Sequence, residues 1–230
     1  GKVLRATSDW VGKIVELCPD HDFDFDAHAK LFEPWQAAQL GNALAPFHPL
    51  FYEEPKRPEN IEAWGALKAQ LNVPLATGES LYSRFEFTRL LDCGGADIIQ
   101  PDICAVGGLL EMRKIAAIAE AHYVTMAPHN PMGPLATAVN LHFCAAQPNF
   151  KILEYRLPMG AAYHGDGMSE DDDRTEYVRD PYLPVDGHLE LRPDRPGWGV
   201  EIDEDYLKTD RYIHWERKLP MRPDGSTAYV

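Results

Sequence analysis

Long apolar runs are missing from this chain: no stretch approaches the roughly 18 residues a membrane-spanning helix needs. The first residues, GKVLRATSDW, also lack the basic-then-apolar layout of a secretory signal. A cytoplasmic protein with no membrane partner is the expectation. Cysteine is scarce. Cys18, Cys93, Cys104 and Cys144 lie far apart with no CxxC pair, which excludes a disulfide scaffold and a thiolate zinc site and leaves buried free thiols as the expected state. Positive charge is scarce too. The chain has 22 Lys and Arg against 36 Asp and Glu, a net charge of −14, and so has no basic footprint for a nucleic-acid partner. With 45% hydrophobic and 25% charged residues, a disordered chain is a poor fit, and 230 residues can bury one sizeable core.

What is present is a spaced series of six ionisable residues, Asp26, Glu53, Glu79, Asp102, His129 and Glu154, at successive intervals of 27, 26, 23, 27 and 25. Each ends or follows a short apolar run: DFDFD, LFYE, VPLATGE, ADIIQPD, YVTMAPH and FKILE. The interval is the length of one strand, one helix and two short loops, so architecture repeats where sequence does not.

Between the runs lie amphipathic segments. Trp10–Cys18 reads as a helix, and Pro34 opens another through Trp35, Ala38, Leu40 and Leu44. Further helices carry Ile61, Trp64, Leu67 and Leu71, then Phe85–Leu91, Leu109–Ala121 and Leu135–Ala146. Strands are expected at Phe23–Asp26, Leu50–Glu53, Val73–Ala76, Ala96–Gln100, Val124–Ala127 and Lys151–Tyr155, six in all. Apolar strands alternating with amphipathic helices predict an α/β fold with a parallel sheet, arranged as a barrel of about six strands over residues 1–157. Residues 158–230 are richer in Asp, Pro and Gly and read as an extension packing on that barrel. They are expected to hold a mobile acidic loop, HGDGMSEDDD, and a hairpin at PVDGHLELR with Asp-Gly as the turn.

In a parallel barrel, residues just after each strand converge on one face. Asp26, Glu53 and Glu79 take that position on three consecutive strands and would form a hard oxygen cage suited to Mg²⁺, with Mn²⁺ next. The competing reading of any one is a helix N-cap or first-turn acid; three in register favour the metal. His129 follows a strand, and Asp102 ends the strand before it. A carboxylate beside an imidazole fixes its tautomer and makes a general base. His28, two residues past Asp26, shares that ligand's side if the extended conformation persists, and could act as the acid. Glu154 closes the set, either hydrogen-bonding a substrate carboxylate if protonated or supporting the metal site electrostatically.

DAHAK, FYEEP, ATGES, DIIQPD, the Gly-Gly of AVGGLLEMRKIAAIAEA, APHNPMGP and ILEY together resemble the strand-end motifs of the enolase superfamily. The branch is that of mandelate racemase and muconate lactonizing enzyme, and within it the D-galactonate dehydratase-like acid-sugar dehydratases. The resemblance runs from about Asp9 to the C-terminal region. It implies a TIM-type (β/α)7β barrel, Mg²⁺ on Asp26, Glu53 and Glu79, His129 paired with Asp102 as base, His28 as acid and Glu154 as carboxylate partner. Glu53 is preferred over Glu54 as the ligand.

The implied reaction removes the C2 proton of an aldonic acid such as galactonate or gluconate and expels the 3-hydroxyl, giving a 2-keto-3-deoxy acid. A His beside the first ligand favours dehydration over the alternatives, a sugar-acid epimerase or racemase of the same superfamily, or an inactive truncated relative. The family's N-terminal capping domain and two leading strands are not seen in this sequence. An incomplete barrel is therefore expected, either as a piece of a longer protein or in association with another polypeptide, and the resemblance implies a homo-oligomer.

Overall fold

The structure is a computed structural model describing residues 2–155, 177–209, 221, 223 and 224. Helix α1 (Lys2–Leu17) leads to strand β1 (Asp24–Asp26). Helix α2 (Pro34–Leu44) and a 3-10 turn (Ala45–Phe47) then lead to β2 (Phe51–Glu53). After them come α3 (Glu62–Lys68), β3 (Leu75–Thr77), α4 (Arg84–Asp92), β4 (Ile98–Ile99), α5 (Leu109–Ala121), β5 (Thr125–Met126) and α6 (Pro134–Ala145). These five strands form one sheet in sequence order, every pair parallel, each pair joined by a helical crossover.

The helices begin where the sequence supplies the chemistry. Pro34 and Pro134 sit in first turns, where their missing N–H costs nothing. Ser83 and Glu86 form a reciprocal capping box on α4. The first helix starts at Lys2, eight residues before the expected Trp10.

The strands alternate faces. Tyr52, Leu75, Ile99 and Met126 point to the helices, where Leu75, Ile99 and Met126 join Trp64, Leu67, Phe87, Leu90 and Ile115 in the main core. Phe51, Ala76, Ile98 and Ala127 form a smaller cluster on the opposite, inner face. Asp24, Asp26 and Glu53 follow the same alternation and lie on the inner side.

The expected sixth strand is reduced to a single parallel bridge, Met126 to Phe150. The Met126 N–H donates to Asn149 O at 2.9 Å, and the Lys151 N–H donates to Met126 O at 2.9 Å. The next rung would need an N–H from residue 128. That residue is Pro128, which has none, so the ladder stops and 151–155 runs on unpaired.

In the C-terminal part, β6 (Val178–Arg179) and β7 (Glu201–Ile202) pair antiparallel, followed by the short helix α7 (Glu204–Leu207). Tyr182, Leu189 and Val200 pack on Ala138 and Leu141 of α6. The Asp186-Gly187 hairpin forms, with both residues at positive φ, but is closed by one bridge, Val185 to His188. The acidic loop lies outside the described residues. All four cysteines are free, yet only Cys144 is buried and Cys104 is exposed, which corrects the expectation of buried thiols. No helix among the described residues is long and apolar enough to cross a membrane.

Gly65 on α3 shows how closely the helices approach: a Cβ there would sit 2.1 Å from the Cys93 carbonyl oxygen. Alanine gains about 1 kcal/mol of helix propensity over glycine, but overpacking against a main-chain atom costs about 1–3 kcal/mol or more. Gly65→Ala is therefore expected to lower the urea midpoint, and an unchanged or higher midpoint would refute the close approach.

Candidate active site

Parallel pairing delivers the carboxylates to one edge. Asp26 lies in register with Glu53, and Glu53 with Ala76, so the ends of β1, β2 and β3 stand side by side. Two residues past β3, Glu79 reaches toward the same place. Its Oε1 lies 3.9 Å from His28 Nδ1 and its Oε2 lies 3.6 Å from His129 Nε2, so the two imidazoles flank one carboxylate. Burial pushes the Glu79 carboxyl above its ordinary range, and the neighbouring His129 and His28 partly offset this.

His28 gets there by a route the sequence reading did not foresee. The extended conformation ends at Asp26, and His28 and Ala29 both take left-handed conformations, with φ of 49° and 54°. Asp26 holds the turn. Its Oδ1 accepts the His28 main-chain N–H at 2.5 Å, and its Oδ2 lies 3.2 Å from His28 Nδ1. The ring is brought beside the carboxylates by this turn and not by strand alternation.

The two adjacent glutamates of FYEEP part company. Glu53 stays on the inner side, within hydrogen-bonding reach of the Gln100 side chain and near Asp26, Glu79 and Asp24. Burial first, then those negative charges, drives its carboxyl up to about 8. Glu54 has φ of 36° and is fully buried, its Oε2 accepting from the Thr77 hydroxyl and from the Gly78 N–H at 3.2 Å. Its Oε1 has no hydrogen-bond partner, and burial raises its carboxyl to about 7.

Asp102 is buried, with Oδ1 accepting the Cys104 N–H at 2.7 Å and Oδ2 2.8 Å from His129 Nδ1. An ionised carboxylate can only accept, so the Nδ1 proton points to Asp102 and the Nε2 lone pair faces Glu79. Burial pulls the His129 imidazole down, but the Asp102 bond and the charges of Glu154, Glu79 and Asp102 outweigh it, so the net shift is upward. Glu154 comes from the segment after the single bridge, and its Oε2 accepts the Asn130 N–H at 2.6 Å. Beside the site, a cavity of about 510 Å³ opens between Ala29 and Ser80, the neighbours of His28 and Glu79, with Arg57, Glu59, Tyr82 and Glu86 in its wall.

All seven residues singled out from the sequence thus stand at the C-terminal edge of one sheet. The sequence model for enolase C-terminal domain-like proteins matches residues 3–206. The chain belongs to the enolase C-terminal domain-like family. Among relatives of this enolase-type chain, a D-galactonate dehydratase of Xanthomonas oryzae pv. oryzae (strain PXO99A) is 41% identical over 97% of the chain, and one of Ralstonia nicotianae is 39% identical over 97%. The chain spans 58% of the length of each. An Agrobacterium radiobacter enolase whose suggested activity is galactarate dehydration, solved with sodium and L-malate bound, is 62% identical. It superposes with a TM-score of 0.92, covering 100% of this chain and 59% of the other. A member of the enolase superfamily from Salmonella Typhimurium gives a TM-score of 0.80 at 32% identity, over 90% of this chain and 50% of the other. The fold is therefore the enolase-type barrel, of which the described residues supply five parallel strands.

The donor set of this enolase-type edge fits a hard divalent cation in kind: three carboxylates, with that of Glu53 pushed up first by burial and then by its acidic neighbours. It is not a closed cage, since among the described residues no three His, Cys, Asp or Glu side chains are set to hold an ion as they stand. Gln100 and Asn130 belong to the site but were not singled out from the sequence. The only signal was their position, Gln100 two residues before Asp102 and Asn130 directly after His129.

Glu54 yields a test in stability. Its folded-state carboxyl titrates at about 7, above the ordinary 4.5, so its contribution favours the fold below pH 4.5 and is lost as pH rises through 7. The Thr77 hydroxyl bonds the charged form. Thr77→Val is therefore expected to destabilise by about 1–3 kcal/mol above pH 7, and by clearly less at pH 5. A loss independent of pH in parallel denaturation curves would show that Glu54 is not the reason.

Proposed function

We propose that the intact protein is a Mg²⁺-dependent dehydratase of a sugar acid, an aldonic acid such as galactonate or gluconate. The observation that carries this is the placement of Glu79 between two imidazoles, one of them braced by Asp102. Removal of a proton from C2 and departure of a hydroxyl from C3 need a base and an acid on the two sides of one bound acid group. The names of the Xanthomonas, Ralstonia and Agrobacterium relatives support the same substrate class.

Asp26, Glu53 and Glu79 would hold the cation. When bound, Mg²⁺ would supply charge neutralisation on the substrate's carboxylate as the C2–H bond breaks. The remaining work falls to the side chains. Asp102 keeps the Nε2 lone pair of His129 pointed into the site, and His129 takes the C2 proton. The electron pair moves into a C2–C3 double bond while His28 gives its proton to the 3-hydroxyl, which leaves as water. The enol so formed tautomerises to the 2-keto-3-deoxy acid. Glu154, anchored by the Asn130 N–H, faces the acid end of the substrate. The polar wall of the adjacent cavity suits a polyhydroxylated chain.

Across a panel of sugar acids, the intact protein is expected to release keto acid. His129→Ala should lower turnover by about 10²–10⁴-fold and abolish deuterium uptake at C2. His28→Ala should suppress water loss while leaving C2 exchange measurable. Exchange without water loss in the unmodified protein would favour the epimerase reading, and keto-acid release insensitive to both changes would sink the mechanism.

Protons and Mg²⁺ compete for the same carboxylates, and Glu53 titrates at about 8. Mg²⁺ is accordingly expected to raise the melting temperature more at pH 8 than at pH 5. Glu53→Gln should remove most of that gain; an equal gain in the variant would place the ion elsewhere.

A further inference from the structure

Behind His129 lies a buried polar network. Asn130 is 1% exposed and Asn140, on α6, is 0% exposed. The Asn130 main-chain N–H donates to Glu154 Oε2 at 2.6 Å, and its side-chain Nδ2 donates to the Glu154 carbonyl at 2.9 Å and to Thr137 Oγ1 at 3.0 Å. Its Oδ1 accepts Asn140 Nδ2 at 3.0 Å, and the Thr137 hydroxyl donates to Gly133 O at 3.1 Å. Both amide hydrogens and the amide oxygen of Asn130 are used. Turning the amide over would set its oxygen against the Glu154 carbonyl and its NH₂ against that of Asn140, so the orientation is fixed by the partners.

Thr137 and Asn140 are three residues apart on α6 and share one face of an otherwise largely apolar helix. Buried amides and hydroxyls cost more than apolar groups of the same size unless they are bonded, and Asn130 and Thr137 make all their bonds while Asn140 makes one through its Nδ2 and leaves its Oδ1 without a partner. Here the bonds run between the helix, the loop that carries His129, and the segment that carries Glu154. That segment has lost its ladder to β5 after one rung, so sheet pairing does not place Glu154. The network does, through two bonds from one residue.

We infer that Asn130, Thr137 and Asn140 are positioning residues that hold His129 and Glu154 in one frame fixed to α6, an inference that rests on the sugar-acid dehydratase reading. The three side chains set the distance between the base and the carboxylate that faces the substrate's acid end.

The test uses Thr137, where shape and hydroxyl can be separated. Thr137→Val keeps the volume and removes the acceptor; Thr137→Ser keeps the hydroxyl. In the intact protein, Thr137→Val is expected to lower kcat about 10- to 100-fold with KM changed by less than about threefold, and Thr137→Ser to restore kcat to within about threefold. Asn140→Ala should follow Thr137→Val. A second readout does not need turnover: the proton that His129 Nδ1 shares with Asp102 should resonate far downfield, move in Thr137→Val and return in Thr137→Ser. A folded Thr137→Val with unchanged kcat and an unchanged resonance overturns the inference, as does a loss equal in both variants or one confined to the melting temperature. If the unmodified protein releases no keto acid from any sugar acid, the dehydratase reading falls, and the resonance alone decides whether the network positions His129.

Discussion

Parallel pairing from β1 to β5 is the constraint on which the rest depends. It forces every strand to end at the same edge, so residues some 25 positions apart in the chain become neighbours without any contact designed between them. The helices supply the depth that makes the edge rigid: Leu75, Ile99 and Met126 anchor the outer face of the sheet in a core shared with Trp64 and Phe87. The inner face stays small, with Ala76 and Ala127 beside Phe51 and Ile98, which leaves the acids above it room to converge.

That convergence creates electrostatic tension. Asp26, Glu53 and Glu79 crowd one another, and the structure answers with imidazoles on both sides of Glu79 and an amide against Glu53. Lys56, which could have offset the charge, is turned away. It is buried, bonds the carbonyls of Arg57 and Asn60, and lies over the Trp64 ring at 4.2 Å. Lys56 thus leaves the acids at the strand ends without its charge, where a cation would relieve their repulsion.

Much of this was legible in the sequence. Short apolar runs with a fixed interval imply a parallel α/β sheet, and helix α5 was read at its observed limits, Leu109–Ala121. The strand-end position alone identified six residues that the fold gathers, and His28 was added from its place two residues past Asp26. What escaped had identifiable causes. The sixth strand failed at Pro128, a donor missing from the neighbouring strand and not from the strand itself, and pattern reading looks at one segment at a time. His28 turned left-handed because Asp26 captures its N–H, a local bond that periodicity cannot register. Thr137 and Asn140 are ordinary residues in a helical stretch until the loop of Asn130 is folded against them. Their role exists only in three dimensions.

The twin glutamates of β2 carry one further consequence. Glu53 and Glu54 have the same chemistry, are adjacent, and are sent to opposite sides of the barrel wall by the alternation of the strand. A shift of one residue would hand each the other's address: a carboxylate meant for the open edge would be sealed against Thr77, and its twin set among the acids. Length variation among descendants of this chain is thereby confined. Beyond Pro55 the chain is tied again by the bridge from Lys56 to Leu31, and from Phe51 to Glu54 it has no slack, so an inserted residue there would be felt as a misprint at both places at once.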